Sequence, residues 1–287
     1  MKAPFLVATV LTIVACAAEG QKRSGLEERE TIRRTLDFSS GSARKVVEID
    51  NVKGSIRVTG YNGSSVEMIA NKTIRASSQD RLDTAKQDVK LDITENAGTI
   101  NIYVDQPGHE HSTNFSSRSH WANHGYEVGF DFELRVPSEA AVHLWTVNDG
   151  EISVQNIAGD FDVHNINGGI EMSGLSGSGE AKTINGPVKI EFKGNPTTDS
   201  SFSSLNGDIQ VTFRPDLAAD LRYKTVNGGV YTDFQINTLP ASPGTPEKRN
   251  GKFVYKNDGF SRARVGKGGP EIEFDAFNGN VRILQGK

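Results

Sequence analysis

From Lys45 onward, apolar and polar residues alternate at period two over short runs, as in Val46-Val47-Glu48-Ile49, Gly54-Ser55-Ile56-Arg57-Val58 and Val66-Glu67-Met68-Ile69. That period sends successive side chains to opposite faces of an extended backbone, so the runs predict strands with one face buried. Residues 90–94, 99–104 and 128–136 read the same way. Residues 78–90 break the pattern, with Leu82, Ala85 and Val89 at spacings of three and four behind a capping Ser78, and predict the chain's single short helix. Residues 19–44 carry Ser, Gly and mixed charge with little apolar periodicity beyond Ile32, Leu36 and Phe38, and are expected to form a flexible tether.

The second half adds a repeat. Thr146-Val147-Asn148-Asp149-Gly150 is echoed at Asn167-Gly168, Asn185-Gly186, Asn206-Gly207, Asn227-Gly228 and Asn278-Gly279, each followed by an alternating strand. From Asn148 to Asn227 the echoes lie about twenty residues apart, the length of one supersecondary unit. A weaker echo at Gly159-Asp160-Phe161 and Gly177-Ser178-Gly179 divides each unit into two strands.

Asn-Gly suits turns that need positive φ, which predicts a structural role for these asparagines and glycines. Regular spacing predicts an all-β fold in which the units stack as successive coils of a β-solenoid, a single-stranded β-helix-like array. A meander, sandwich or barrel is the alternative. Stacked Asn side chains are expected to form a hydrogen-bonded ladder.

The segment Asn51-Val52-Lys53-Gly54-Ser55-Ile56-Arg57-Val58, the step Leu134-Arg135-Val136-Pro137, the Thr-x-Asn-Gly-x-Ile/Val units and Gly266-Lys267-Gly268-Gly269-Pro270 together resemble the "putative adhesin" family of bacterial β-strand-repeat proteins. The likeness runs over about residues 45–285. It implies a β-repeat domain at the cell envelope, an adhesin-like binding or scaffold module, and carries over no catalytic residue and no cofactor.

Address is written at the start of the chain. A charged opening, an apolar run from Pro4 to Val14 and small residues at 15–18 have the form of a secretory signal, too short to span a bilayer. Ile13-Val14-Ala15-Cys16 also has the form of a lipobox, in which Cys16 would be lipidated and tether the protein to the outer membrane or within the periplasm; cleavage near Ala18 would instead release it. Cys16 is the only cysteine, so an intramolecular disulfide framework is impossible. The domain plan is therefore 1–18 signal, 19–44 tether and 45–287 repeat domain, with inserts at 106–125 and 238–269.

A net charge of −4 over 287 residues lacks the basic excess of a nucleic-acid binder. The first insert gathers His109, His111, His120 and His124, of which His109 and His111 lie on one side of an extended segment and could pinch a zinc or copper ion. The second carries Lys248, Arg249, Lys252, Lys256, Arg262, Arg264 and Lys267 beside Phe253, Tyr255 and Phe260, which could hold an anionic glycan. An envelope protein is the other partner expected.

Asp160 and Asp162 would suit a polysaccharide hydrolase or lyase. Alternating charges on nearly every strand instead read as a solvated face. No Gly-x-Ser-x-Gly elbow or phosphate-cradling loop occurs, and a non-enzymatic role is expected.

Overall fold

Alternating short strands satisfy their backbone by pairing edge to edge and bury their apolar face against another layer, and the chain does so in two compact units that divide between Val154 and Gln155. The computed structural model describes residues 25–39, 44–107, 125–240, 245–249, 252–256 and 258–287.

The first unit contains β1 (Leu26–Asp37), β2 (Val46–Asp50), β3 (Ile56–Tyr61), β4 (Ser65–Ala76), the helix α1 (Gln79–Asp88), β5 (Lys90–Asn96), β6 (Thr99–Asp105), β7 (Tyr126–Pro137), β8 (Ala141–Thr146) and β9 (Ile152–Gln155). One set of strands runs in the order β1-β4-β7-β3-β9 and another in the order β8-β2-β6-β5. β1 with β4 and β4 with β7 are antiparallel, whereas β2 pairs in parallel with both β6 and β8. Val66, Met68 and Ala70 of β4 alternate inward with Phe130, Phe132 and Leu134 of β7, all buried. Ser78 caps α1 by accepting from the Arg81 N–H at 3.4 Å. At the other end the buried Lys72 ammonium donates to the Val89 carbonyl at 2.8 Å, where the helix dipole favours a cation.

Residues 26–37, where composition predicts a flexible tether, instead form a strand of 12 residues paired along its whole length with β4. Its side chains are exposed or half-buried, so no apolar stripe announces it. Backbone pairing holds it, with ion pairs from Glu27 to Arg75 (2.8 Å) and from Glu28 to Lys86 (2.7 Å).

The second unit contains β10 (Phe161–Asn167), β11 (Ile170–Leu175), β12 (Gly179–Asn185), β13 (Val188–Phe192), β14 (Ser200–Asn206), β15 (Ile209–Phe213), β16 (Ala219–Asn227), β17 (Val230–Thr232), β18 (Ile236–Leu239), β19 (Thr245–Arg249), β20 (Lys252–Lys256), β21 (Ser261–Val265), β22 (Glu271–Asn278) and β23 (Val281–Gln285). Each Asn-Gly turn passes the chain from one strand set to the other. β10, β12, β14, β22 and β16 pair in parallel in that order, and so do β11, β13, β15, β23 and β17.

Spatial order departs from chain order at one point. β22 and β23 are inserted between the β14–β15 and β16–β17 strand pairs, so Asn278 aligns with Asn206 on one side and Asn227 on the other. The segment 238–269, expected as a loop, also contributes structure: β19 and β20 form a hairpin, and β21 pairs antiparallel with both β16 and β18.

Phenylalanines knit the core of this unit. Phe192 stacks on Phe213 with centroids 5.1 Å apart, and Phe202 meets Phe192 and Phe274 at 6.2 and 5.5 Å. All four are buried, and such pairs add to the stabilisation from area alone.

Candidate functional site

The repeat asparagines of the second unit form a continuous ladder. Asn185 Nδ2 donates to Asn167 Oδ1 (2.8 Å), Asn206 to Asn185 (2.8 Å), Asn278 to Asn206 (2.7 Å) and Asn227 to Asn278 (2.7 Å). Every amide points the same way along the stack. Glycine N–H groups run the opposite way: Gly186 donates to the Asn206 carbonyl (3.0 Å), Gly207 to Asn278 (3.0 Å) and Gly279 to Asn227 (3.1 Å). Hydroxyls two residues before Asn185, Asn206 and Asn227 close the frame, from Thr183 to Gly168 O (2.8 Å), Ser204 to Gly186 O (2.9 Å) and Thr225 to Gly279 O (2.9 Å). Asn148 belongs to the first unit, where its carbonyl accepts from Gly54 N–H at 2.9 Å.

The glycines have a different cause from the one expected. None of Gly168, Gly186, Gly207, Gly228 and Gly279 has positive φ, and neither do their asparagines. Close approach of neighbouring turns dictates glycine instead: a Cβ on Gly186, Gly207, Gly228 or Gly279 would lie 2.0–2.3 Å from the carbonyl oxygen of the glycine in the adjoining turn. No L side chain fits there without moving backbone.

Beside the ladder lies a feature that the sequence reading passed over. The residue preceding each Asn is large and apolar, and the parallel register aligns Ile166, Ile184, Leu205, Phe277 and Val226. They point outward, with Leu205, Phe277 and Val226 exposed by 46%, 45% and 52%. Five strands at about 4.8 Å make a ridge roughly 19 Å long. The signal was present in every Thr-x-Asn-Gly unit, at the variable position x.

Several charges on the outward faces are committed to one another. Lys189 pairs with Glu171 (2.8 Å) and Arg264 grips Asp220 with two bonds (2.7 and 2.8 Å). Arg222 reaches Glu273 and Asp258, and Arg262 reaches Asp258 and Glu271. Arg264 holds the Asp220 carboxyl below its usual range. The Asn280 N–H, and then Arg282, do the same for Asp208. Phe260 lies against the Arg222 guanidinium, 3.7 Å from its ring centroid. Arg262, Arg264 and Phe260, expected as parts of an open basic stripe, are thus occupied by their neighbours. Lys248, Arg249, Lys252, Lys256, Phe253 and Tyr255 lie on the β19–β20 hairpin, outside the residues whose side chains are described.

Cys16 and the four histidines His109, His111, His120 and His124 also lie outside the described residues. Among the described residues no three His, Cys, Asp or Glu side chains are placed to hold a metal ion. Asp160 accepts the Ser178 N–H (3.4 Å), and Asp162 sits 2.6 Å from His164 Nε2. Tyr126 donates to Asp88 (2.8 Å), its pKa pushed up to about 12 by burial and by that carboxylate. Among the described residues no helix is long and apolar enough to cross a membrane.

No family model matches the chain, and no curated protein does. Solved structures give low-identity likenesses. One is described as a "putative cell adhesion protein" from Clostridium sporogenes, 10% identical over 89% of this chain and 100% of that one, with a TM-score of 0.43. Another is a "putative adhesin" from Bacteroides fragilis, 12% identical over 89% and 96%, with a TM-score of 0.35. A third is a "putative lipid binding protein" from Parabacteroides distasonis, 12% identical over 90% and 97%, with a TM-score of 0.22.

Proposed function

We propose that the chain is a non-enzymatic cell-envelope protein whose repeat region stacks as a β-solenoid and displays an adhesin-like binding or scaffold surface. The observation that carries this reading is the outward ridge Ile166–Ile184–Leu205–Phe277–Val226. Contiguous apolar surface of this kind on a folded protein marks a place where something else docks. The neighbouring charges neutralise each other, so recognition rests on apolar fit, which favours an envelope protein over an anionic glycan as partner. Parallel pairing of every second strand, with an Asn-Gly turn between, supports the solenoid over a sandwich or meander. The motif Ile13-Val14-Ala15-Cys16 supports a signal segment over residues 1–18 and a lipid anchor at Cys16.

Full-length protein and a Leu205→Ser/Phe277→Ser variant can be compared for binding to isolated bacterial envelope, with Cys16→Ser scored alongside for membrane fractionation. The ridge variant is expected to keep its unfolding temperature and lose binding, and Cys16→Ser to move to the soluble fraction. Undiminished binding by the ridge variant refutes the ridge as the recognition surface; unchanged fractionation refutes the anchor.

A further inference from the structure

We infer that Asn227–Gly228 is a site of spontaneous self-modification, at which the folded chain converts its own asparagine to aspartyl and isoaspartyl residues while the same dipeptide in the interior of the ladder is protected. The chemistry needs only water. The backbone nitrogen of Gly228 attacks Cγ of Asn227 and gives up its proton. The Cγ–Nδ2 bond breaks, ammonia leaves, and a five-membered succinimide closes. Water then adds to either ring carbonyl, giving aspartate or an isoaspartate whose main chain runs through the former side chain. One amide and one water become one acid and one ammonia, with no redox change. A following glycine offers the least steric obstruction to ring closure.

The ladder supplies an internal comparison. Asn185, Asn206, Asn227 and Asn278 are all exposed and all precede glycine. Their attacking nitrogens differ. Those of Gly186, Gly207 and Gly279 are half-buried and donate to the Asn carbonyl of the next coil at 3.0–3.1 Å, bonds that must open before attack. Gly228 faces the side where a further coil would stand. It is exposed, and among the described residues nothing accepts its N–H. The carboxamide is also held from one side only, by Nδ2 donation to Asn278, with no further Asn donating to its Oδ1. Nucleophile and carbonyl are therefore both released at this rung and at none of the three compared with it.

The product alters the surface. A carboxylate has no hydrogen to offer Asn278 Oδ1, so the ladder loses its end bond. An isoaspartate also adds a methylene to the main chain at the step from β16 to β17, between the exposed side chains of Val226 and Tyr231.

The test is peptide mapping by mass spectrometry, with isoaspartyl detection, of the full chain aged at mildly alkaline pH, folded and in denaturant. In the folded protein Asn227 is expected to convert at least about fivefold faster than Asn185, Asn206 or Asn278, the ratio given by one hydrogen bond of about 1 kcal/mol. In denaturant the four should converge. Conversion at Asn227 no faster than at the other three in the folded state overturns the inference, and so does a rate difference that survives denaturation.

Discussion

Replacing Gly207 by alanine separates two causes of glycine that carry opposite signs. Where the backbone is not at positive φ, Gly→Ala ordinarily stabilises by about 0.4–1 kcal/mol by restricting the unfolded chain. Gly207 is such a position by its dihedral. Yet an added Cβ would stand 2.0 Å from Gly186 O and 2.4 Å from its carbonyl carbon, so the two turns must part. Parting strains the bonds from Gly186 to Asn206 O, from Ser204 to Gly186 O and from Asn206 to Asn185. Three bonds at about 1 kcal/mol each, with an overpacking cost of about 1–3 kcal/mol and the entropic gain subtracted, leave a net loss of about 3–5 kcal/mol. Gly228→Ala meets the same 2.0 Å clash, against Gly279 O. Around Gly228 the backbone has a neighbour on one side only, because β21 covers β16 just over Ala219–Tyr223, so this turn can pull away; the expected loss is about 1–2 kcal/mol, from relaxed overpacking and loosened end-rung bonds. Urea unfolding of the full chain followed by far-UV circular dichroism reads both values. A neutral or stabilised Gly207→Ala variant, or equal losses at the two positions, would refute close approach as the reason for the glycines.

Two further outcomes follow from the packing and the charges. Phe202→Ala removes a fully buried ring packed against Phe192 and Phe274 and should cost about 3–5 kcal/mol in urea unfolding, whereas a change below about 1 kcal/mol would mean the aromatic stack is dispensable. Asp220, held below its usual pKa by Arg264, releases its proton more readily folded than unfolded, so the pair contributes stability above the unfolded carboxylate range that is lost as pH falls through the folded value. Unfolding curves across the acid range should be flatter for Arg264→Met than for the native chain, and identical slopes would contradict the assignment.

Much of the fold was legible because period-two burial is written directly into residues. Alternation gave the strands around Val47, Val58 and Met68, and the spacing of Leu82 and Ala85 gave the helix. Recurrence of Asn167, Asn185 and Asn206 at 18 and 21 residues pointed to the ladder. What escaped has identifiable physics. β1 is held by its backbone and surface ion pairs, and an edge strand without a buried face leaves no apolar period to read. Intercalation of β22–β23 depends on pairing between residues 51 and 72 positions apart, which a local pattern does not encode. The apolar ridge was visible at position x of each unit, but hydrophobicity alone does not say which side of a strand faces water. The pairing of Arg262 with Glu271 and of Arg264 with Asp220 was hidden because those partners come from separate strands.

The inserted strand pair has a consequence for how the molecule is made. During synthesis the β14–β15 and β16–β17 segments emerge one after the other, each with an edge that matches an Asn-Gly strand pair. They must not stack on each other, because the place between them belongs to β22 and β23, synthesised later. Premature closure would be a register error that satisfies local bonds and excludes the rightful strands, a trap typical of parallel, non-local β topologies. The second unit therefore reaches its native strand order only after residues 271–285 have been made.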